Sequence, residues 1–179
     1  GCHGQTVRHR PEKGFTVQLG SGAIIAARTG VPTVTDFRSA DIALGGQGAP
    51  LVPAFHKDLF GSAEEDRAIV NIGGIANVTL LPKNGEVTGF DTGPGNTLLD
   101  HWYREHQAGD WDVGGAWSLT GEVDQSLLKK LLSDEYFSRP APKSTGLEYF
   151  SHEWIKGRLS GSERPQDIQA TLRELTASA

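Results

Sequence analysis

The stretch AIVNIGGIANVTLLPKNGEVTGFDTGPGNTLLDHW, Ala68 to Trp102, sets the fold class. Its first two apolar runs, rich in β-branched residues, meet at Gly73-Gly74 and read as strands joined by a bend. Asn84-Gly85 stands between the second run and a third that ends at Asp91; this pair takes the positive φ angles of a hairpin turn at little cost. Gly93, Pro94 and Gly95 then break the chain. Leu98, Leu99 and Trp102 fall on one face of a helix from Thr97 to Gln107, with Thr97 and Asp100 as a capping pattern. Strands feeding a helix in this order make the chain α/β.

Upstream, TVRHRPEKGFTVQLG predicts two short strands around a Pro-Glu-Lys-Gly turn, with Phe15, Val17 and Leu19 alternating. GAIIAARTG reads as a short helix stopped by Gly30. VPTVTDF is β-branched enough for a strand ending at Asp36, and APLVPAFHKDLF reads as a helix entered through prolines. The acidic loop GSAEEDR then shifts the composition and marks a boundary. Downstream, VDQSLLKKLL is an amphipathic helix, YFSHEWIKGRL follows the PAPKSTG loop, and Ile168, Leu172 and Leu175 share a last helix face.

The chain has 179 residues, enough for one domain or two small ones, and 37% hydrophobic with 22% charged residues is a globular balance. A net charge of −5 with no Lys/Arg cluster excludes a nucleic-acid footprint. Apolar runs fall far short of the ~20 residues of a membrane span, so no membrane partner is expected. The single cysteine, Cys2, forms no internal disulfide; it reads as a small buried hydrophobe in a reducing, cytoplasmic setting. The absence of methionine, a start inside a strand-and-turn segment and a stop inside a helical pattern read as an internal piece of a longer protein.

Four stretches carry chemistry, each beside a plainer reading. In NIGGIANVT, Gly73 and Gly74 let backbone N–H groups approach a phosphate, or simply make a tight hairpin; Asn71 and Asn77 favour a polar site. In GFDTGPGN, Asp91 at a strand's end precedes a helix N-terminus, where an anion is welcome. Its carboxylate either takes a proton from a hydroxyl or water, or caps a turn. In DFRSADIALGGQGAP, Asp36, Arg38, Asp41 and Gln47 among glycines shape a loop around a hydroxyl-rich ligand or form a solvated surface loop. GCHGQT offers His3, Gln5 and Thr6 as hydrogen-bonding side chains.

Other sites fail. LGSGAIIAARTG lacks the third small residue of a dinucleotide fingerprint, since Ile25 stands there. His101 and His106 do not share a helix face, and no cysteine pair supports a metal site. Trp102, Trp111, Trp117 and Trp154 read as core aromatics.

Taken together, HGQTVRH, TDFRSADIALGGQGAPLVPAFH, NIGGIANVT, GFDTGPGNTLLD, APKSTGLEYF and DIQATLREL resemble the bacterial anhydro-N-acetylmuramic acid kinase family, in order along the chain. The resemblance covers the middle of that family's sequence; Cys2 stands where the family commonly has serine. It implies an RNase-H-like (actin-like ATPase) two-domain architecture, with residues 1–61 finishing a first domain and 67–179 beginning a second. It implies ATP, with Mg²⁺ on the nucleotide, and an amino-sugar substrate, and it allows a homodimer. Water attacks the anomeric carbon of 1,6-anhydro-N-acetylmuramic acid, and the freed oxygen takes the γ-phosphoryl group. By resemblance Asp91 is the general base, and His3, Gln5, Thr6, Arg38, Asp41 and Gln47 form the sugar side. Asn71, Gly73, Gly74 and Asn77, with Gly93 and Gly95, face the ATP phosphates. These 179 residues alone are expected to be inactive. The competing reading is an actin-like module that binds an amino sugar or nucleotide without chemistry.

Overall fold

The computed structural model describes residues 1–179 and is a mixed α/β structure with two antiparallel sheets. β1 (Gln5–Arg10) and β2 (Phe15–Leu19) form a hairpin. A 3₁₀ turn at Pro11–Lys13 and Gly14 at φ 75° reverse the chain between them, as the Pro-Glu-Lys-Gly turn predicts. Phe15, Val17 and Leu19 alternate, and all lie on the exposed face. α1 (Gly22–Thr29) begins where Ser21 accepts the Ile24 N–H and ends at left-handed Gly30. VPTVTDF forms no strand. Its one backbone–backbone hydrogen bond from elsewhere in the chain comes from the Cys2 N–H, on the Val34 carbonyl, and no neighbouring strand supplies a ladder for its β-branched residues. Two helices not separated by any further strand follow: α2 (Ser39–Ala43), inside the glycine-rich loop, and α3 (Pro53–Phe60), with proline in its first turn.

The three-stranded sheet has the order β3 (Arg67–Ile72), β4 (Ile75–Leu81), β5 (Thr88–Pro94). β3 and β4 turn at Gly73-Gly74, as expected. β4 and β5 are joined by residues 82–87, a longer loop than a two-residue hairpin, with Gly85 at φ 133°. α4 (Thr97–His106) starts one residue earlier than the capping pattern implies. Asn96 is the N-cap, no side chain caps it, and Thr97 is already helical and buried.

α5 (Gln125–Leu132), capped by Asp124, α6 (Glu135–Ser138), α7 (His152–Lys156) and α8 (Pro165–Ser178) complete the chain. Leu98, Trp102, Leu127, Leu131, Tyr136, Phe150, Ile155, Leu172 and Leu175 belong to one apolar cluster built by these helices. Each fully buried leucine there contributes roughly 1.5–3 kcal/mol. Trp102 and Trp154 join this cluster and Trp117 packs against it, but Trp111 is 57% exposed, so it is not a core aromatic. Cys2 is half-buried rather than buried.

Candidate active site

The β4–β5 ladder slips beside Asp91. Ala76 pairs with Gly93 and Asn77 with Asp91, so Thr92 is an extra residue on β5. Such a bulge re-aims the side chains next to it. Asp91 is only 5% exposed. Its carboxylate Oδ2 accepts the Thr145 N–H at 3.0 Å, and no other protein donor meets the carboxylate. Its own N–H donates to the Lys143 carbonyl at 3.1 Å, and the Tyr136 hydroxyl donates to its carbonyl oxygen at 2.7 Å. Burial pushes the Asp91 carboxyl up to about 6, against the Thr145 hydrogen bond and the Arg38 charge. A carboxyl in that range is poised to accept a proton near neutral pH.

Asp91 opens onto a cleft of about 550 Å³ whose walls include His3, Arg38, His56, Asn71 and Asn77. Arg38 also borders an adjoining cavity of about 400 Å³, lined by Gln5, Thr6, His9, Gly74 and Thr145. Its guanidinium donates to the Gly48 carbonyl at 2.7 Å. Burial lowers Arg38 from its usual value, with Asp91 opposing. Three buried polar atoms in these walls have no partner: Arg38 Nε, Asn77 Oδ1 and Thr145 Oγ1. Native interiors rarely leave such groups unpaired, and here all three belong to neighbours of Asp91.

The residues expected on the sugar side divide. His3, Gln5, Thr6 and Arg38 line the two cavities. Asp41 instead accepts the Gly48 N–H at 2.6 Å, and Gln47 Oε1 accepts the Ser144 hydroxyl at 3.0 Å, so both shape the loop that carries Arg38. The glycines divide too. Gly74 lines the second cavity, and the carbonyls of Gly73 and Gly74 accept from Asn96 and Gly95 N–H at 2.8 and 2.9 Å. That tie consumes carbonyls and spares the glycine N–H groups. Gly95 is explained by this close approach, because a Cβ there would collide with the Gly73 carbonyl. Gly93 is buried against Phe137.

A third cavity of about 450 Å³ lies past this turn, lined by Asn96, Asp100, Trp111, Ser118, Gln169 and Arg173. Gln169 is fully buried and neither its amide nitrogen nor its oxygen has a partner. Burial raises the Asp100 carboxyl.

The family model described as anhydro-N-acetylmuramic acid kinase matches residues 1–179. The chain belongs to that family. The anhydro-N-acetylmuramic acid kinase of Photobacterium profundum is 56% identical over 180 residues, covering 99% of this chain and 48% of that protein. Those of Saccharophagus degradans and Nitrosospira multiformis are 55% and 54% identical, each over 99% of this chain and 50% and 49% of their own length. The chain therefore spans about half the length of the curated anhydro-N-acetylmuramic acid kinases it matches. No helix is long and apolar enough to cross a membrane.

Sequence reasoning gave no role to His9, His56, Lys143 or Thr145. Thr145 lies 54 positions from Asp91, so no local spacing could have linked them. The available signal was PAPKSTG, a proline-bounded polar loop that has no apolar face to bury.

Proposed function

We propose that the complete protein is an ATP-dependent kinase that opens 1,6-anhydro-N-acetylmuramic acid with water and phosphorylates O6. One observation carries the reading: a buried carboxyl, Asp91, raised to about 6, with no protein donor on its second oxygen. Asp91 takes a proton from water as the water oxygen bonds to C1. The C1–O6 bond breaks, and O6 takes the γ-phosphoryl group, leaving ADP and N-acetylmuramic acid 6-phosphate. Arg38 faces the muramic carboxylate, while His3, Gln5 and Thr6 meet sugar hydroxyl and acetamido groups. Asp41 and Gln47 act by holding the Arg38 loop.

Gly73 and Gly74, between the second and third cavities, receive the phosphates on their N–H groups, with Asn71 and Asn77 alongside. The third cavity suits the nucleoside. Exposed Trp111 offers a stacking face, Gln169 a donor–acceptor pair for a base edge, and Asp100 an acceptor for ribose hydroxyls. Mg²⁺ would arrive on the nucleotide's phosphates and spread their charge. We further infer an RNase-H-like, actin-like arrangement divided at the acidic loop, residues 1–61 on one side and 67–179 on the other, and a cytoplasmic setting.

The test is turnover of the complete protein in ¹⁸O-labelled water with ATP and the anhydro sugar. One label at the anomeric hydroxyl and none in the phosphoryl group is expected. Label in the phosphate, or binding of both ligands without product, would overturn the reading.

A further inference from the structure

Residues 143–145 form a strap over Asp91. The Lys143 carbonyl and the Thr145 N–H both bond to Asp91, at 3.1 and 3.0 Å. The Ser144 side chain between them points the other way. Its hydroxyl donates to Gln47 Oε1 at 3.0 Å, and His9 Nε2 lies 3.2 Å from Ser144 Oγ. Since Ser144 has one proton and gives it to Gln47, His9 must be the donor on Nε2. His9 is 8% exposed. Its Nδ1 lies 3.0 Å from Thr16 Oγ1, its backbone N–H donates to Glu148 Oε1 at 3.2 Å, and Gln18 donates to both Thr16 and Thr6. A continuous set of hydrogen bonds therefore runs from Thr6, on the cavity wall, to the strap that holds the base.

We infer that Ser144, clamped between His9 and Gln47, is a positioning residue that holds the Thr145 N–H on the Asp91 carboxylate. The inference rests on the reading of Asp91 as the base. Three pieces of chain meet at one hydroxyl: the β1–β2 hairpin through His9, the glycine-rich loop through Gln47, and the strap itself. The hairpin and the glycine-rich loop are not tied there by an apolar core, because the first 66 residues bury only His9, Ile42 and Gly48. Loss of the hydroxyl frees the strap at its middle residue, and the carboxylate loses a fixed donor.

The charged and titratable groups around Asp91 are Arg38, Tyr136, Lys143, His3 and His56. Those around His9 are Arg38, Glu148 and Glu12. Burial and Arg38 lower the His9 imidazole from its usual value, which favours its neutral form. Ser144→Ala leaves every one of these charges in place. Any change in Asp91 titration then reports its geometry.

The experiment compares the complete protein with Ser144→Ala, His9→Phe and His9→Gln, the last keeping an N–H donor near the Nε2 position. Two readouts are taken: steady-state rates with the anhydro sugar and ATP, and the Asp91 carboxyl followed by ¹³C NMR against an Asp91→Asn reference. In Ser144→Ala, kcat should fall about 10- to 100-fold with the ATP KM within about twofold, the size of effect expected for a misplaced reacting group. The Asp91 titration midpoint should rise above the wild-type value. His9→Phe should reproduce both changes, and His9→Gln should restore most of the rate. An unchanged midpoint in correctly folded Ser144→Ala overturns the proposal, as does a melting-temperature loss with normal kcat per folded molecule, which would mark a plain structural staple. Because the titration needs no turnover, a shifted midpoint in a protein that does not process the sugar would sustain the latch and defeat the reaction.

Discussion

Residues 67–179 and residues 1–60 are held together by different forces. The first set buries a cluster of 12 apolar residues, from Leu98 to Leu175. The second leaves Val7, Val17, Leu19, Val34, Phe55 and Leu59 at 44–62% exposure and is secured largely by polar ties: Arg38 to Gly48, Asp41 to Gly48, His9 to Ser144. The cleft lies where the two meet, with Asp91 on the cored side and Arg38 on the polar side. A rigid element positions Asp91, while its surroundings come from loops whose place depends on a few hydrogen bonds. The geometry of the cleft is therefore more sensitive to single polar substitutions than the fold is.

The contrast breaks most visibly in the core. Leu131 is fully buried, and Leu131→Ala should cost about 3–5 kcal/mol in urea unfolding. A cost under about 1 kcal/mol would mean that the helical cluster does not carry residues 67–179.

Next comes a polar anchor within the cored region. Asp134 accepts from Tyr149 at 2.7 Å, from Trp154 at 2.9 Å and from Arg158 at 2.5 Å. Burial pushes its carboxyl up, but these bonds and the Tyr136 N–H outweigh burial and hold it below the usual value. A depressed folded pKa adds stability above the unfolded value of about 3.9, and that stability is lost as pH falls through the folded value. The wild type should therefore lose melting temperature below about pH 4 more steeply than Asp134→Asn. Parallel acid profiles for the two would remove Asp134 from the acid response.

The smallest effect belongs to the polar-tied region. Leu44 is 90% exposed, and Leu44→Ser should change stability by no more than about 0.5 kcal/mol. A larger loss would reveal a packing role for that surface.

What the sequence made legible follows the same division. α4, α5 and α8 were readable because each has an apolar face with the helical period and those faces pack in one cluster, and β3, β4 and β5 because their apolar runs are set off by Gly73-Gly74 and Asn84-Gly85. VPTVTDF carried strand propensity without a partner strand, and propensity alone does not make a ladder. Trp111 was misplaced among core aromatics because side-chain size is no guide to burial when a loop carries it. Within the site, Asp91, Arg38, Asn77 and Gly74 could be named from local motifs. Thr145, Ser144 and His9 could not, since their importance comes from hydrogen bonds between segments 54 to 135 positions apart. Gly95 was read as a phosphate contact, and its close backbone approach to Gly73, which leaves no room for a side chain, was not legible in the sequence.

The most direct measurement is the pH dependence of kcat/KM for the complete protein, beside Asp91→Asn. Activity should fall on the acid side with a midpoint near the Asp91 value of about 6, because the base must be ionised. The Asn variant, which keeps an oxygen for the Thr145 N–H, should lose about 10²- to 10⁴-fold in kcat while ATP affinity stays within about threefold. An Asp91→Asn protein that keeps near-normal turnover, with the same acid limb as the wild type, would contradict Asp91 as the base.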